Sequence, residues 1–235
     1  MAGLVFADGQ RIDKPGTWIK EGVEVSIRGN DCPFVSRGGL KLAHALDHFK
    51  IEVTDRLCLD LGSSTGGFTD CLLKRGAAGV HCVDVGRGLL HWKLRRDPRI
   101  TLHEHYNARF LSAADFPGAC FDLVTLDLAF ISQRLVLPAL ARLLLGQDGR
   151  PVDVVSLVKP QFEAGRADVG KGGIVRDASV RLGTGYVVAG CARQLGFDVL
   201  GQVASPVTGA DGNVEFLLHL QMPQKGGPDA QTTLP

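Results

Sequence analysis

Four charged side chains stand where the sequence otherwise turns apolar. Lys159 follows VVSLV, Asp127 follows LVTL, Glu215 is embedded in VEFLLHL, and Lys41 lies in SRGGLKLAHAL at the start of an amphipathic stretch. Ligands of open α/β sheets bind beyond the carboxyl ends of the strands, so Lys159 and Asp127 mark such an edge, and neighbouring strand ends can bring all four together. Singly, each has an ordinary reading as a snorkelling lysine, a strand-end aspartate, an edge-strand glutamate or a solvated helix lysine. Jointly, two ammonium groups balanced by two carboxylates suit removal of a proton from a hydroxyl as it attacks an electrophile. A lysine crowded by a second cation and partly desolvated gives up its own proton more readily and can then serve as base. That chemistry needs no metal.

A second feature names the electrophile. DLGSSTGGFTD, 60–70, follows a strand-like run and opens a helix-like one. Its glycines at 62, 66 and 67 let the backbone lie against a ligand, while neither G-x-G-x-x-G nor G-x-x-x-x-G-K-[ST] is met, which disfavours a pyrophosphate or triphosphate cradle. A ligand without phosphate and with a cationic amino-acid end, for which Asp60 is a partner, fits better: S-adenosylmethionine. Asp84 is 24 residues further on at the end of the next strand-like run, where acidic residues accept hydrogen bonds from ribose hydroxyls.

These residues require an α/β framework. From 57 onward short apolar runs alternate with helical spacing, the pattern of a parallel sheet covered on both faces. Strands are expected at 57–61, 80–85, 121–126, 152–158, 197–204 and 214–221, the last two as an antiparallel hairpin around SPVTGADGN. Helices are expected over 66–76 with Gly76 as C-cap, over 133–145, and from an Asp177 N-cap to 195–196.

Composition limits the remaining possibilities. The chain of 235 residues carries 26 Lys+Arg against 25 Asp+Glu, so any nucleic-acid partner must be held by local patches rather than bulk charge. No run approaches the roughly 20 apolar residues of a membrane helix, and MAGLVFADGQ is no signal peptide, so a soluble, cytoplasmic protein without a membrane span is expected. The six cysteines form no C-x-x-C pair and read as reduced core thiols. The pairs His44/His48 and His103/His105 lack a completing ligand set, and no metal is expected.

In order along the chain, SRGGLKL, DLGSSTGGFTDCLL, VDVG, NAR, DLAFIS, LVKPQFE, GGIVRD, SPVTG and GNVEFL resemble the TlyA group of ribosomal RNA 2'-O-methyltransferases, long labelled hemolysins, within the wider FtsJ/RrmJ-like methyltransferases. The resemblance covers about 1–222. It implies a Rossmann-like class I fold with a seven-stranded, mostly parallel sheet ending in an antiparallel hairpin. It implies that Lys41, Asp127, Lys159 and Glu215 form a catalytic tetrad with Lys159 as base. It further implies that Asp60, Gly62, Ser63, Thr65, Gly66, Gly67, Phe68, Asp84, Val85 and Asp127 hold S-adenosylmethionine, with Asn107 or Ala108 near the adenine. The implied substrate is the ribose 2'-hydroxyl of cytidine in ribosomal RNA, presented as free RNA or in ribosomal subunits. Where the group usually reads D-V-S-F-I-S, this chain has Ala129 in place of the serine, which removes a hydroxyl near the site.

The N-terminus departs further from the group, which begins with an S4-type RNA-binding domain. AGLV through Lys14-Pro15-Gly16 matches only its second half. The implied organisation is a partial S4-like segment 1–29, a linker 30–37, a methyltransferase domain 38–222 and a disordered tail 223–235, and a gene start assigned at an internal methionine would account for the short first segment. Expected RNA contacts are Lys14, Lys20, Arg28 and Arg37, and on RGLLHWKLRRDPR, 87–99, Lys93, Arg95 and Arg96 with Trp92 available for stacking. Competing readings are a non-catalytic RNA-binding or ribosome-associated protein, a membrane-active hemolysin, and an NAD-dependent oxidoreductase, the last disfavoured by the glycine spacing.

Overall fold

The structure, a computed structural model, describes residues 5–12, 16–27, 32–147, 150–209 and 211–223. The chain forms two compact units, 1–33 and 34–235. The first holds a three-stranded antiparallel sheet of β1 (Val5–Ala7), β2 (Gln10–Ile12) and β3 (Val25–Ile27), ordered β2-β1-β3. Asp8 and Gly9 join β1 to β2, both at positive φ, as a two-residue hairpin turn requires.

The second unit begins at Phe34, so 34–37 are not a linker but part of this domain. Val35 N–H donates to the Asp70 carboxylate at 2.8 Å, and a Cβ on Gly39 would lie 2.3 Å from the Phe34 ring, so that ring packs directly on the backbone of α1 (Gly38–Phe49).

Seven strands form the main sheet: β4 (Leu57–Leu61), β5 (Gly79–Val83), β6 (Ile100–His103), β7 (Leu123–Leu126), β8 (Val152–Val158), β9 (Asp198–Ala204) and β10 (Phe216–Met222). Their order is β6-β5-β4-β7-β8-β10-β9. All pairings are parallel except those of β10, which runs antiparallel to both β8 and β9. The expected hairpin is therefore present, with its second strand inserted beside β8.

Alternation along each strand feeds two separate cores. Leu59, Leu61, Val124, Leu126 and Val154 point to the face covered by α4 (Leu137–Leu145) and α6 (Ala178–Gln194). Cys58, Val80, Cys82, Leu123 and Val155 point to the opposite face, under α1 and α2 (Gly67–Lys74). Burial raises the thiol pKa of Cys58 and Cys71 to about 12, as befits inert core thiols. Local signals are used as the spacing predicts. Asp177 caps α6 by accepting from Ser179 and Val180 N–H at 2.7 and 3.2 Å, and Gly76 closes the helix after β4 at φ +85°.

Candidate active site

Four parallel strands each deliver a candidate site residue at the first position past their carboxyl end: Gly62 after β4, Asp84 after β5, Asp127 after β7 and Lys159 after β8. Because β10 is antiparallel, Glu215, the residue before it, reaches the same edge, where Phe216 pairs with Val158. The chain's connections reverse direction between β4 and β7, and the crevice at such a switch point is where open α/β sheets bind ligands.

Two adjoining cavities occupy this edge. The smaller, about 360 Å³, is lined by all four members of the expected tetrad together with the 62–68 loop and Arg37. Lys159 Nζ lies 2.7 Å from Asp127 Oδ1, and Lys41 is paired with Glu215 through a buried hydrogen bond. Lys159 sits between β8 and the one-turn helix α5 (Pro160–Glu163), where Pro160 fixes the turn. Glu215 is held by the turn before it: Gly209 has no Cβ to collide with its carboxylate, and buried Asn213 ties that turn to 173–175 by accepting from Val175 N–H and donating to Gly173 C=O.

The larger cavity, about 470 Å³, is lined by Asp84, Val85, Asn107 and Ala108, with Leu89, Tyr106, Ile131 and Val136 supplying apolar walls. Asp84 accepts from Ser64 N–H at 2.8 Å and from Gly86 N–H at 2.7 Å, which fixes its carboxylate beside the glycine loop. The cavities share Gly62, Ser64, Asp127, Ala129 and Phe130, so an elongated ligand with a flat base at one end and a charged group at the other can span both.

Gly62 makes this junction possible. It stands at φ +84°, and a Cβ would lie 2.6 Å from the Asp127 carbonyl oxygen. Gly67 likewise brings the start of α2 against α1, since its Cβ would meet Ser36 Oγ at 2.2 Å. The residues suit S-adenosylmethionine on a further count: the Ser63 hydroxyl is buried on the smaller cavity and has no hydrogen-bond partner among the described residues, so it offers a donor and an acceptor to a bound group.

Two expected cofactor contacts are placed elsewhere. Asp60 is fully buried beneath the loop, on the α2 side of β4, where its two carboxylate oxygens accept from the Thr69 and Thr125 hydroxyls at 2.6 and 2.8 Å. The alternation of β4 explains this, since Asp60 shares its face with Cys58 and not with the cavity. Burial raises its pKa to about 6. Gly66 faces Leu90 and Leu94, which fill the space its side chain would take. Thr65, Gly67 and Phe68 do line the smaller cavity.

Of the expected RNA contacts, Lys14 and Arg28 lie outside the described residues. Lys20 is exposed in the first unit, and Arg37 opens onto the smaller cavity. Lys93 and Arg96 flank Trp92 at 5.8 and 5.3 Å from its ring. Arg95 is committed internally, to Glu104 and to the Leu90 carbonyl.

The structure brings further residues to this edge that carry no clear signal in the sequence. Phe130, at φ +63° and 92% exposed, stands at the mouth of both cavities with its ring 5.4 Å from that of Phe162. Glu163 is buried and accepts from Ser132 Oγ and Gln133 N–H, both at 2.6 Å. Burial pushes the Glu163 carboxyl up from its ordinary range. The segments 127–133 and 159–163 are thus joined by an ion pair, a ring contact and a carboxylate clamp.

A sequence profile of FtsJ-like methyltransferases matches residues 34–222. The chain belongs to the FtsJ-like methyltransferase family. Within it, the chain is 46% identical over 221 residues to the 16S/23S rRNA (cytidine-2'-O)-methyltransferase TlyA of Mycobacterium tuberculosis, covering 94% of this chain and 81% of the relative. It is 38% identical over 219 residues to Hemolysin A of Brachyspira hyodysenteriae, covering 93% and 89%. A solved structure of a hemolysin-named protein from Streptococcus thermophilus superimposes with a TM-score of 0.81 at 46% identity, covering 99% of this chain and 83% of that one. The FtsJ-like match starts at the same residue as the second compact unit, Phe34.

Proposed function

We propose that this chain methylates the ribose 2'-hydroxyl of a cytidine in ribosomal RNA, with S-adenosylmethionine as methyl donor and Lys159 as base. The observation that carries the reading is the pairing of Lys159 with Asp127 and of Lys41 with Glu215 around one cavity, which opens into a second cavity suited to a nucleoside. The names of the relatives supply the substrate class. When bound, S-adenosylmethionine supplies a methyl group on a sulfonium, open to attack by an oxygen nucleophile.

The protein's part is positioning and proton transfer. Asp84 accepts from the ribose hydroxyls of the donor, and Ser63 and the 62–68 backbone hold its amino-acid end. Lys159 takes the proton of the attacking hydroxyl. Asp127 fixes the Lys159 amine and stabilises the ammonium once the proton has arrived. Lys41, neutralised by Glu215, keeps a donor aimed at the substrate oxygen without adding net charge to a partly dry site. Among the described residues no helix is long and apolar enough to cross a membrane.

The test is Lys159→Ala. Calorimetry is expected to return S-adenosylmethionine affinity close to that of the parent chain, while single-turnover formation of 2'-O-methylcytidine in ribosomal RNA is lost. Near-normal transfer by the variant removes Lys159 from the role of base.

A further inference from the structure

One exposed feature lies outside both cavities. The four-residue helix α3 (Trp92–Arg95) buries Leu94 and leaves Trp92 58% exposed, with Lys93 and Arg96 over its ring and the His91 ring stacked 5.9 Å from it. Two neighbouring arginines have carboxylate partners, Arg95 with Glu104 and Arg99 with Asp97. Among the described residues Lys93 and Arg96 have none. A large ring more than half in water, with two cations over it that have no carboxylate partner among the described residues, serves neither the core nor the local charge balance.

The segment is also rigidly built. His91 N–H donates to the Thr65 carbonyl at 3.1 Å, Glu104 accepts from Gly88 N–H at 2.6 Å and from Arg95, and Leu90 and Leu94 close over Gly66. Its position is at the site's rim, since Leu89 lines the larger cavity and Thr65 the smaller.

We propose that 87–96 is an RNA docking platform: Trp92 stacks on a base near the methylated nucleotide while Lys93 and Arg96 neutralise its flanking phosphates. The proposal rests on the function given above and names a surface for its substrate. Charge complementarity selects RNA. In a chain whose net charge is only +1, grip on a polyanion must come from local cations left unpaired, and an adjacent exposed ring is what an unstacked base requires. The link through Thr65 and Leu89 places that contact beside the donor pocket rather than on a remote face.

The experiment uses the full chain with Trp18→Phe, which leaves Trp92 as its only tryptophan. Titration with transcribed ribosomal RNA is expected to quench Trp92 fluorescence. Trp92→Ala should weaken RNA binding about tenfold, as loss of one stacked base does, and Trp92→Phe should restore most of it. Lys93→Ala with Arg96→Ala should reduce the slope of log affinity against log salt by about 1.5, the share of two phosphate contacts. S-adenosylmethionine affinity should stay unchanged in every variant. Unquenched fluorescence, or variants with parental affinity and salt slope, overturns the platform while leaving the function in place if the parent chain still methylates RNA. Quenching by anionic phosphatidylglycerol vesicles and not by RNA assigns the patch to a lipid surface and also overturns it. A parent chain that binds no ribosomal RNA and transfers no methyl group overturns the function itself.

Discussion

Gly62 is the position where one methyl group separates the fold from its chemistry, and Gly62→Ala is the sharpest test of the site. Two costs add. An L-residue held at φ +84° pays about 1–2 kcal/mol for the left-handed backbone. The new Cβ would also stand 2.6 Å from the Asp127 carbonyl oxygen and 3.0 Å from its carbon, so the end of β7 must retreat by roughly half an ångström or more, an overpacking cost of about 1–3 kcal/mol. The retreat stretches the 2.9 Å hydrogen bond from Asp127 N–H to the Leu61 carbonyl and moves Asp127 relative to Lys159. A displacement of that size at a reacting centre lowers turnover by about ten- to a hundredfold. Gly196→Ala is the control, because Gly196 has φ +92° with nothing within 4 Å and pays only the backbone cost. Urea unfolding of both variants and single-turnover methylation of ribosomal RNA measure the two effects. Equal destabilisation of the two variants, with a full methylation rate in Gly62→Ala, would refute the reasoning that Gly62 sets the contact between the donor loop and Asp127.

Other perturbations separate stability from chemistry. Lys41→Ala leaves Glu215, 2% exposed, without its partner and should cost about 3–5 kcal/mol; Lys41→Met with Glu215→Leu should recover most of that in urea unfolding yet give no methyl transfer. Glu163→Gln and Ser132→Ala should each slow turnover several-fold at unchanged S-adenosylmethionine affinity, and the double variant should lose less than the sum of the singles, since both remove the Ser132–Glu163 hydrogen bond; fully additive losses argue against the clamp. Asp60 has its folded pKa raised to about 6 from 3.8, so its ionised form opposes folding at pH 7 by about 3 kcal/mol. As pH falls from 7 towards 4 the folded chain takes up that proton first and the penalty fades, whereas Asp153, held at about 2 by His219 and Arg56 against the opposing effect of its burial, withdraws stability only below about 4. Asp60→Asn should therefore flatten the gain in urea midpoint between pH 6 and 4, and an unchanged gain would place its origin elsewhere.

Three of the four residues expected to form a tetrad were legible because they interrupt apolar runs at strand ends, whereas Lys41 lies near the start of α1. LVTL-Asp127 and VVSLV-Lys159 each put a charge at the point where a buried strand must leave the sheet, and a parallel sheet sends all those points to one edge. Glu215 obeys the same rule in reverse, because β10 enters where β8 leaves. Strand β6 gives little sequence signal because Ile100–His103 is a short edge strand between polar flanks, without the continuous apolar run of a central one. The place of β10 between β8 and β9 is a choice among pairings of similar hydrophobicity, settled by long-range packing rather than by local sequence.

Asp60 is the instructive case, since the period of two that identified β4 also places Asp60 with Cys58, under α2. An acidic residue ahead of a glycine loop suggests a ligand contact, but the backbone alternation decides where its side chain points, and two threonine hydroxyls had already claimed its oxygens. The basic run at 93–96 poses the same problem with charge. Four residues in a row supply three cations, and which of them is free depends on Glu104, the residue directly after β6. Composition counts Arg95 and Arg96 alike. Tertiary structure spends the first on holding α3 in place and leaves the second beside an exposed ring, so the surface available to a polyanion is smaller than the sequence suggests and better ordered.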